Sequence, residues 1–351
     1  MEIKQDNIVF LIGAGCSKEA GVPVSNEMVT KIEEYLKADK GKWPQFRDLY
    51  NYLKSSIIYS EGIFGRFNEQ FNVEKLLIVI SELEKRDKNI VFPHIGTWNT
   101  RLVDVAGQNF ELLKDFRELI TNQLIDEWVN LDDYEEAYYY KAFLKFQSTI
   151  GKAIRIFSLN HDLCFEKTIG YDSIQMGFEP KTKEWHYSNF DNEEKQFFLY
   201  KLHGSINWYV DRKTRKLKLS DKACKEPELI FGIDTKLKSI DPYLYFIYEF
   251  RRSMLFSDCR LIISIGFSFS DEHICPVISQ ALKDNPNRTL LVVLPKETSK
   301  EKVKKGLDLS EQIFNDQVKF EWKGARDFLS NVLSKDYVSG HIQLPKDSPF
   351  K

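Results

Sequence analysis

Residues 8–23 constrain this chain more than any other stretch. Ile8-Val9-Phe10-Leu11-Ile12 runs without alternation into Gly13-Ala14-Gly15, and Ser17 then precedes a helical pattern. An unbroken apolar run ended by glycine reads as a strand buried on both faces of a parallel sheet. Glycine lets a backbone turn sharply and lets a ligand come close. Ser17 stands where it can cap a helix, whose free N–H groups attract phosphate. The stretch therefore reads as a cradle for a nucleotide pyrophosphate or, failing that, as a structural strand-to-helix turn. It is not the dehydrogenase fingerprint G-x-G-x-x-G, because Lys18 holds the third glycine's place, and no G-x-x-x-x-G-K-[ST] is present.

A parallel sheet needs further strands, and the second half of the chain supplies them. Apolar runs predict strands at Arg155–Leu159, Gln196–Leu202, Glu228–Phe231, Arg260–Ile265, Thr289–Leu294 and Val318–Trp322. Helices are expected over Asp241–Phe256, Asp271–Lys283, Lys296–Asn315 and Arg326–Leu333, and Gly170–Glu194 reads as an irregular excursion. Met28, Ile32, Tyr35 and Leu36 fall at helical spacing. From Trp43 to Gln147 strand signals fade, and two apolar stripes follow a helical period. One is Phe71, Val73, Leu76, Leu77, Ile80 and Leu83; the other is Phe110, Leu113, Phe116, Leu119, Ile120, Leu124 and Trp128. The aromatic run Tyr138, Tyr139, Tyr140 and Phe143 reads as core, since no basic cluster interleaves with it as a base-stacking platform would require. The expected fold is α/β: a Rossmann-like, doubly wound, mainly parallel sheet over residues 1–333, with a helical insertion at about 41–150 and a polar tail at 334–351.

Composition narrows the function classes. With 42% hydrophobic residues the chain can bury a substantial core, and a net charge of -2 gives no support for a general nucleic-acid-binding surface. The five cysteines are odd in number, scattered, and form no C-x-x-C pair, which points away from a disulfide framework and a zinc ribbon and toward a reducing, cytoplasmic setting. No run approaches the roughly 20 apolar residues of a membrane helix. Glu2 and Asp6 beside a short apolar run argue against a signal peptide.

Three further motifs end strands. Ser158-Leu159-Asn160-His161-Asp162-Leu163 places Asn160 and Asp162 at a strand's C-terminal end, where open α/β sheets bind ligands. Asn160 can bond a sugar hydroxyl, a carboxamide or a water, while an Asx turn is the structural alternative. His161 is expected to point the opposite way from its neighbours. In Lys201-Leu202-His203-Gly204-Ser205, His203 is suited to exchange a proton near neutral pH. In Ile265-Gly266-Phe267-Ser268-Phe269-Ser270-Asp271, Gly266 permits close approach, Ser268 can reach a phosphate or ribose, and Ser270-Asp271 can cap a helix.

Together these motifs resemble those of the sirtuins, in order. Gly13-Ala14-Gly15-x-Ser17-x-x-Ala20-Gly21-Val22-Pro23 is similar to G-A-G-x-S-x-x-[SA]-G-[IV]-P. The Asn160 motif resembles [TQ]-x-N-x-D-x-L, His203 stands in a Leu-His-Gly, and Gly266-Phe267-Ser268 resembles G-[TF]-S. The resemblance implies NAD as substrate and a nicotinamide–ribose bond broken through an oxocarbenium-like transition state. It implies Gly13, Ala14, Gly15, Ser17, Gly21, Pro23, Gly266 and Ser268 as nucleotide-binding residues, and Asn160, Asp162 and His203 as catalytic ones. Two departures matter. The chain lacks the zinc module of the deacylases, and Val24-Ser25-Asn26 replaces the Asp-Phe-Arg that follows their first motif. That pattern resembles the zinc-less, sirtuin-like NAD hydrolases of bacterial antiphage defence. It implies release of nicotinamide and ADP-ribose in abortive infection, with control by homo-oligomerisation or by a partner such as a HerA-type ATPase/helicase. The alternatives are a protein deacylase or ADP-ribosyltransferase, a non-catalytic sensor of NAD or ADP-ribose and, more distantly, an oxidoreductase.

Overall fold

The computed structural model describes residues 3–38, 41–66, 70–85, 100–107, 110–191, 194–225, 227–229, 241–295 and 300–342. It divides into two compact units. One comprises Met1–Val22, Leu131–Leu229 and Lys238–Lys351, and the other Pro23–Asn130 and Ile230–Leu237.

The first unit is built on a sheet. Its strands are β1 (Ile8–Ile12), β2 (Ile154–Ser158), β3 (Ile174–Gln175), β4 (Phe197–Lys201), β7 (Leu261–Ile265), β8 (Thr289–Val293) and β9 (Val318–Glu321), all parallel, in the order β3-β4-β2-β1-β7-β8-β9. β1, β4, β7 and β8 are buried at every position, as largely apolar runs covered on both faces must be; Lys201, Ser264 and Thr289 are their polar members. The segment before β2 joins this core, with Phe143 and Phe146 meeting Phe10 edge-on at 5.2 and 5.9 Å. Tyr139, Tyr140 and Phe143 are buried as expected, whereas Tyr138 is 64% exposed.

Register decides where the motifs fall. Ile12 pairs with both Ser158 and Ile265, and Ser158 pairs with Lys201. The C-terminal ends of β4, β2, β1 and β7 therefore form one row on adjacent strands, spaced about 4.8 Å apart. The order also places a topological switch point between β1 and β7, where doubly wound sheets open a crevice beyond the strand ends.

Several expectations are corrected. The excursion after Gly170 contains the two-residue strand β3. An unforeseen antiparallel hairpin pairs β5 (Trp208–Val210) with β6 (Leu217–Leu219). The single helix expected over Lys296–Asn315 is two, Lys300–Leu307 and Glu311–Gln317. Asp308 has a φ of +47°, and Ser310 Oγ accepts from Ile313 N to cap the second helix. Residues 296–299 of that expected helix, 230–231 of the strand expected at Glu228–Phe231 and 343–351 of the tail lie outside the described residues. Ser334 Oγ caps a further helix, Lys335–His341, in which Val338 is buried.

The second unit is helical: Ser25–Lys37, Arg47–Ile63, Val73–Glu84, Thr100–Ala106 and Glu111–Gln123. The two predicted stripes supply its core, with Leu76, Leu77, Ile80, Leu113, Phe116 and Ile120 buried and the Phe46 and Phe116 rings stacked at 4.9 Å. Among the described residues, no helix is long and apolar enough to cross a membrane.

Candidate active site

The loop after β1 is where the structure departs most from the expected geometry. No long helix follows the glycines. Instead there are two 3₁₀ turns, Ala14–Cys16 and Lys18–Ala20, and the first α-helix starts at Ser25. Ser17 does not cap a helix. Its hydroxyl is buried, pairs with Tyr140 Oη at 2.8 Å and accepts from Asn160 Nδ2 at 3.0 Å.

The glycines make their close approach to each other. Gly13 N donates to Ile265 O and Gly15 N to Gly266 O, both at 2.9 Å. A Cβ on Gly13 would lie 2.6 Å from Phe267 Cα, and one on Gly15 would lie 2.9 Å from Gly266 Cα. Gly266 itself has a φ of +67°, and a Cβ there would lie 2.2 Å from Cys16 N. The loops after β1 and β7 thus pack backbone on backbone at the switch point, which only glycine permits. Ala14 is exposed at the tip, and so is Ser268, whose hydroxyl pairs with Ser270 at 2.6 Å. Gly21, at a φ of +99°, closes the second 3₁₀ turn through its N–H to Lys18 O and makes no bond to the Ser17 cluster. Pro23 begins the helical unit.

Beside this lies the loop after β2. Asn160 is 6% exposed. Its Nδ2 is committed to Ser17, and its Oδ1 has no hydrogen-bond partner among the described residues. A buried acceptor left unmade costs about 1–3 kcal/mol, so it marks a place where a donor belongs. Asp162 is also buried, and its Oδ1 accepts from Cys164 N at 2.9 Å, which is the Asx-type turn weighed as the structural alternative. Burial, with His203 and Lys201 nearby, pushes the His161 imidazole down to about 3, so His161 is neutral at physiological pH.

A buried ion pair supports the loop from below. Lys201, the last residue of β4, is 1% exposed, and Glu166 is 2% exposed; Lys201 Nζ donates to Glu166 Oε1 at 2.8 Å. The same ammonium donates to Ser205 Oγ at 2.9 Å and to the carbonyl of Asp162. All three of its N–H bonds are thereby used, and they tie the loop after β4 to the loop after β2.

His203 stands two residues beyond Lys201. Its Nε2 donates to Asp271 Oδ2 at 3.2 Å, and its ring centroid lies 6.2 Å from that of His161.

Residues 154–314 match the family model described as a SIR2-like domain. The match supports a sirtuin-like family. Solved structures similar to this chain include a mutant Sir2 homologue in complex with ADP-ribose, at 12% identity over 92% of this chain and 88% of that one, with a TM-score of 0.41. A structure addressing the mechanism and regulation of Sir2 enzymes shares 12% identity over 93% of this chain and 90% of that one, at 0.39. One addressing sirtuin substrate affinity shares 13% over 93% and 92%, at 0.40. Comparison with curated proteins gives no match.

Three contributions were not foreseen from the sequence. Tyr140 and its neighbour Tyr139, whose hydroxyl donates to Cys16 O, were read as core alone. Burial raises both phenols, so they act as neutral hydrogen-bonding groups. In the sequence, Lys201 stands only as a residue of the expected strand Gln196–Leu202 and of the motif around His203. The signal available for it was a lysine completing an otherwise apolar run, Phe197-Phe198-Leu199-Tyr200, which requires a buried partner. Asp271 was read only as a cap.

Proposed function

We propose that this chain is a sirtuin-like NAD hydrolase that cleaves NAD to nicotinamide and ADP-ribose. The observation that carries the reading is the row of four motifs at the C-terminal ends of β4, β2, β1 and β7, beside the switch point, with Asn160 Oδ1 buried and, among the described residues, unpartnered. The residues suit the substrate. Gly13–Ser17 and Gly266–Ser268 frame the crevice for the dinucleotide, and Asn160 Oδ1 accepts from a ribose hydroxyl, the carboxamide or the attacking water.

In this reading the bond between the ribose C1′ and the nicotinamide nitrogen breaks, and nicotinamide leaves with the electron pair. Water forms the new bond to C1′ and gives its proton to His203, which returns it to solvent. Asp162 holds the turn that presents Asn160. Water serves as acceptor, so no acyl-lysine site is needed. A role in antiphage defence, under the control of self-assembly or a partner ATPase, extends the reading from the resemblance alone.

The test is a mass-spectrometric time course of NAD with wild-type protein, Asn160→Ala and His203→Ala, each with and without an acyl-lysine peptide. Wild type should release nicotinamide and ADP-ribose regardless of peptide. The variants should lose about 10²–10⁴-fold, the usual range for a missing general base. Near-normal turnover in both variants overturns the site assignment, and peptide-dependent turnover makes the protein a deacylase.

A further inference from the structure

The His203–Asp271 contact joins two motifs that are 68 residues apart in sequence, from β4 and β7. Asp271 divides its carboxylate between two tasks. Oδ1 accepts from His273 N at 2.8 Å and Ile274 N at 3.2 Å, capping the helix Ile274–Asp284. Oδ2 faces His203 Nε2. A carboxylate only accepts, so the ring nitrogen facing it carries the proton. The partner of one imidazole nitrogen thereby sets the state of the other.

We propose that Asp271 is a positioning residue that fixes His203 as the Nε2–H tautomer and leaves Nδ1 as the nitrogen that takes up a proton. This rests on the reading of His203 as the base and adds which nitrogen acts and what selects it. The cap makes the arrangement testable. The two backbone N–H groups demand an oxygen at the Oδ1 position. In Asp271→Asn the amide oxygen is held there, and the amide N–H₂ is turned toward His203. A donor facing Nε2 forces the proton onto Nδ1. The substitution thus inverts the tautomer while keeping the helix capped.

The experiment uses the full chain labelled with ¹⁵N-histidine. Long-range ¹H–¹⁵N spectra at pH 8.5 give the protonation state of each ring nitrogen, with His203→Gln assigning the signals. Wild type should show Nε2–H and unprotonated Nδ1, and Asp271→Asn the reverse, with thermal unfolding unchanged. NAD turnover by Asp271→Asn should fall about 10²-fold, within the range of a lost general base. An unchanged tautomer in Asp271→Asn overturns the proposal, whatever the turnover. So does an inverted tautomer with wild-type turnover when His203→Gln is inactive. An inverted tautomer with His203→Gln also fully active supports Asp271's hold on the ring and removes His203 as the base. A merely structural role for Asp271 would lower the unfolding temperature without moving the ring proton.

Discussion

Lys201→Met separates a buried charge from its partner, and its cost can be worked from the contacts. In the native protein the ammonium meets Glu166, Ser205 and the Asp162 carbonyl, and both charged residues are almost wholly out of water. Removing the lysine leaves Glu166 buried without its cation. Burial already raises the Glu166 carboxyl against the pull of Lys201, so the widowed group takes up a proton. Removing one partner of such a pair costs about 3–5 kcal/mol. Replacing both by apolar side chains of similar volume is often near neutral. Lys201→Met/Glu166→Leu should therefore recover about 2 kcal/mol or more of that loss, short of full recovery because the Asp162 carbonyl stays unbonded.

A chain with two compact units need not unfold in one step, so the assay must report on the right one. Hydrogen exchange in increasing urea, followed on peptides spanning β2 and β4, gives the opening free energy of that part of the sheet. A Lys201→Met loss below about 1 kcal/mol, or a double variant no better than the single, would refute the reasoning, since either result means the pair is solvated or uncoupled.

Two further outcomes follow from packing and burial. Gly266→Ala should cost about 2–4 kcal/mol, combining a left-handed non-glycine with a Cβ forced against Cys16 N and Gly15. Gly151→Ala, at a similar φ of +65° with nothing within 4 Å of the new Cβ, is the control and should cost only about 1 kcal/mol of backbone strain; equal losses in urea unfolding would contradict the loop contact. Iodoacetamide at pH 8 should label Cys224 in the native protein and the other four cysteines only after unfolding. Those four are buried, with the thiols of Cys16 and Cys275 pushed up to about 12 and that of Cys259 to about 11, so rapid native labelling of Cys16, read by peptide mass, would show that the loop after β1 opens.

The parts legible in the sequence were those where one property settles the structure. β1 is an unbroken apolar run, and β7 and β8 are apolar but for Ser264 and Thr289; no surface position tolerates such runs. The helical stripes were legible for the same reason, since a period of 3.6 in apolar residues has one solution. β3 was missed because two residues carry no periodicity. The β5–β6 hairpin was missed because Asp211–Lys216 between the strands is charged and polar and neither strand exceeds three residues. At the site, motifs gave the positions of Gly13, Asn160, His203 and Gly266 but not their neighbours. That Ser17 turns to Tyr140 and Asn160 depends on residues more than 120 positions apart, which no local pattern encodes.

The hydrogen bonds around Asn160 carry one more step of argument. Its side-chain nitrogen is committed to Ser17, whose hydroxyl is held in turn by Tyr140, and its backbone N–H is bonded to Ser158 Oγ at 3.2 Å. Below it, Lys201 and Cys164 N fix Asp162 at both its carbonyl and its carboxylate. Ser17's contact leaves the amide oxygen as the group Asn160 can offer a ligand. Its orientation is set before a ligand arrives, so a donor meeting it requires no reorganisation of the side chain. An acceptor in that place selects a donor: a hydroxyl, an amide N–H or a water. All three occur in the hydrolysis we propose, and an anionic phosphate oxygen is repelled. Under the hydrolysis we propose, the loop after β2 would therefore meet the riboside end of the dinucleotide, with Gly13–Ser17 toward its pyrophosphate and Gly266–Ser268 toward its adenosine.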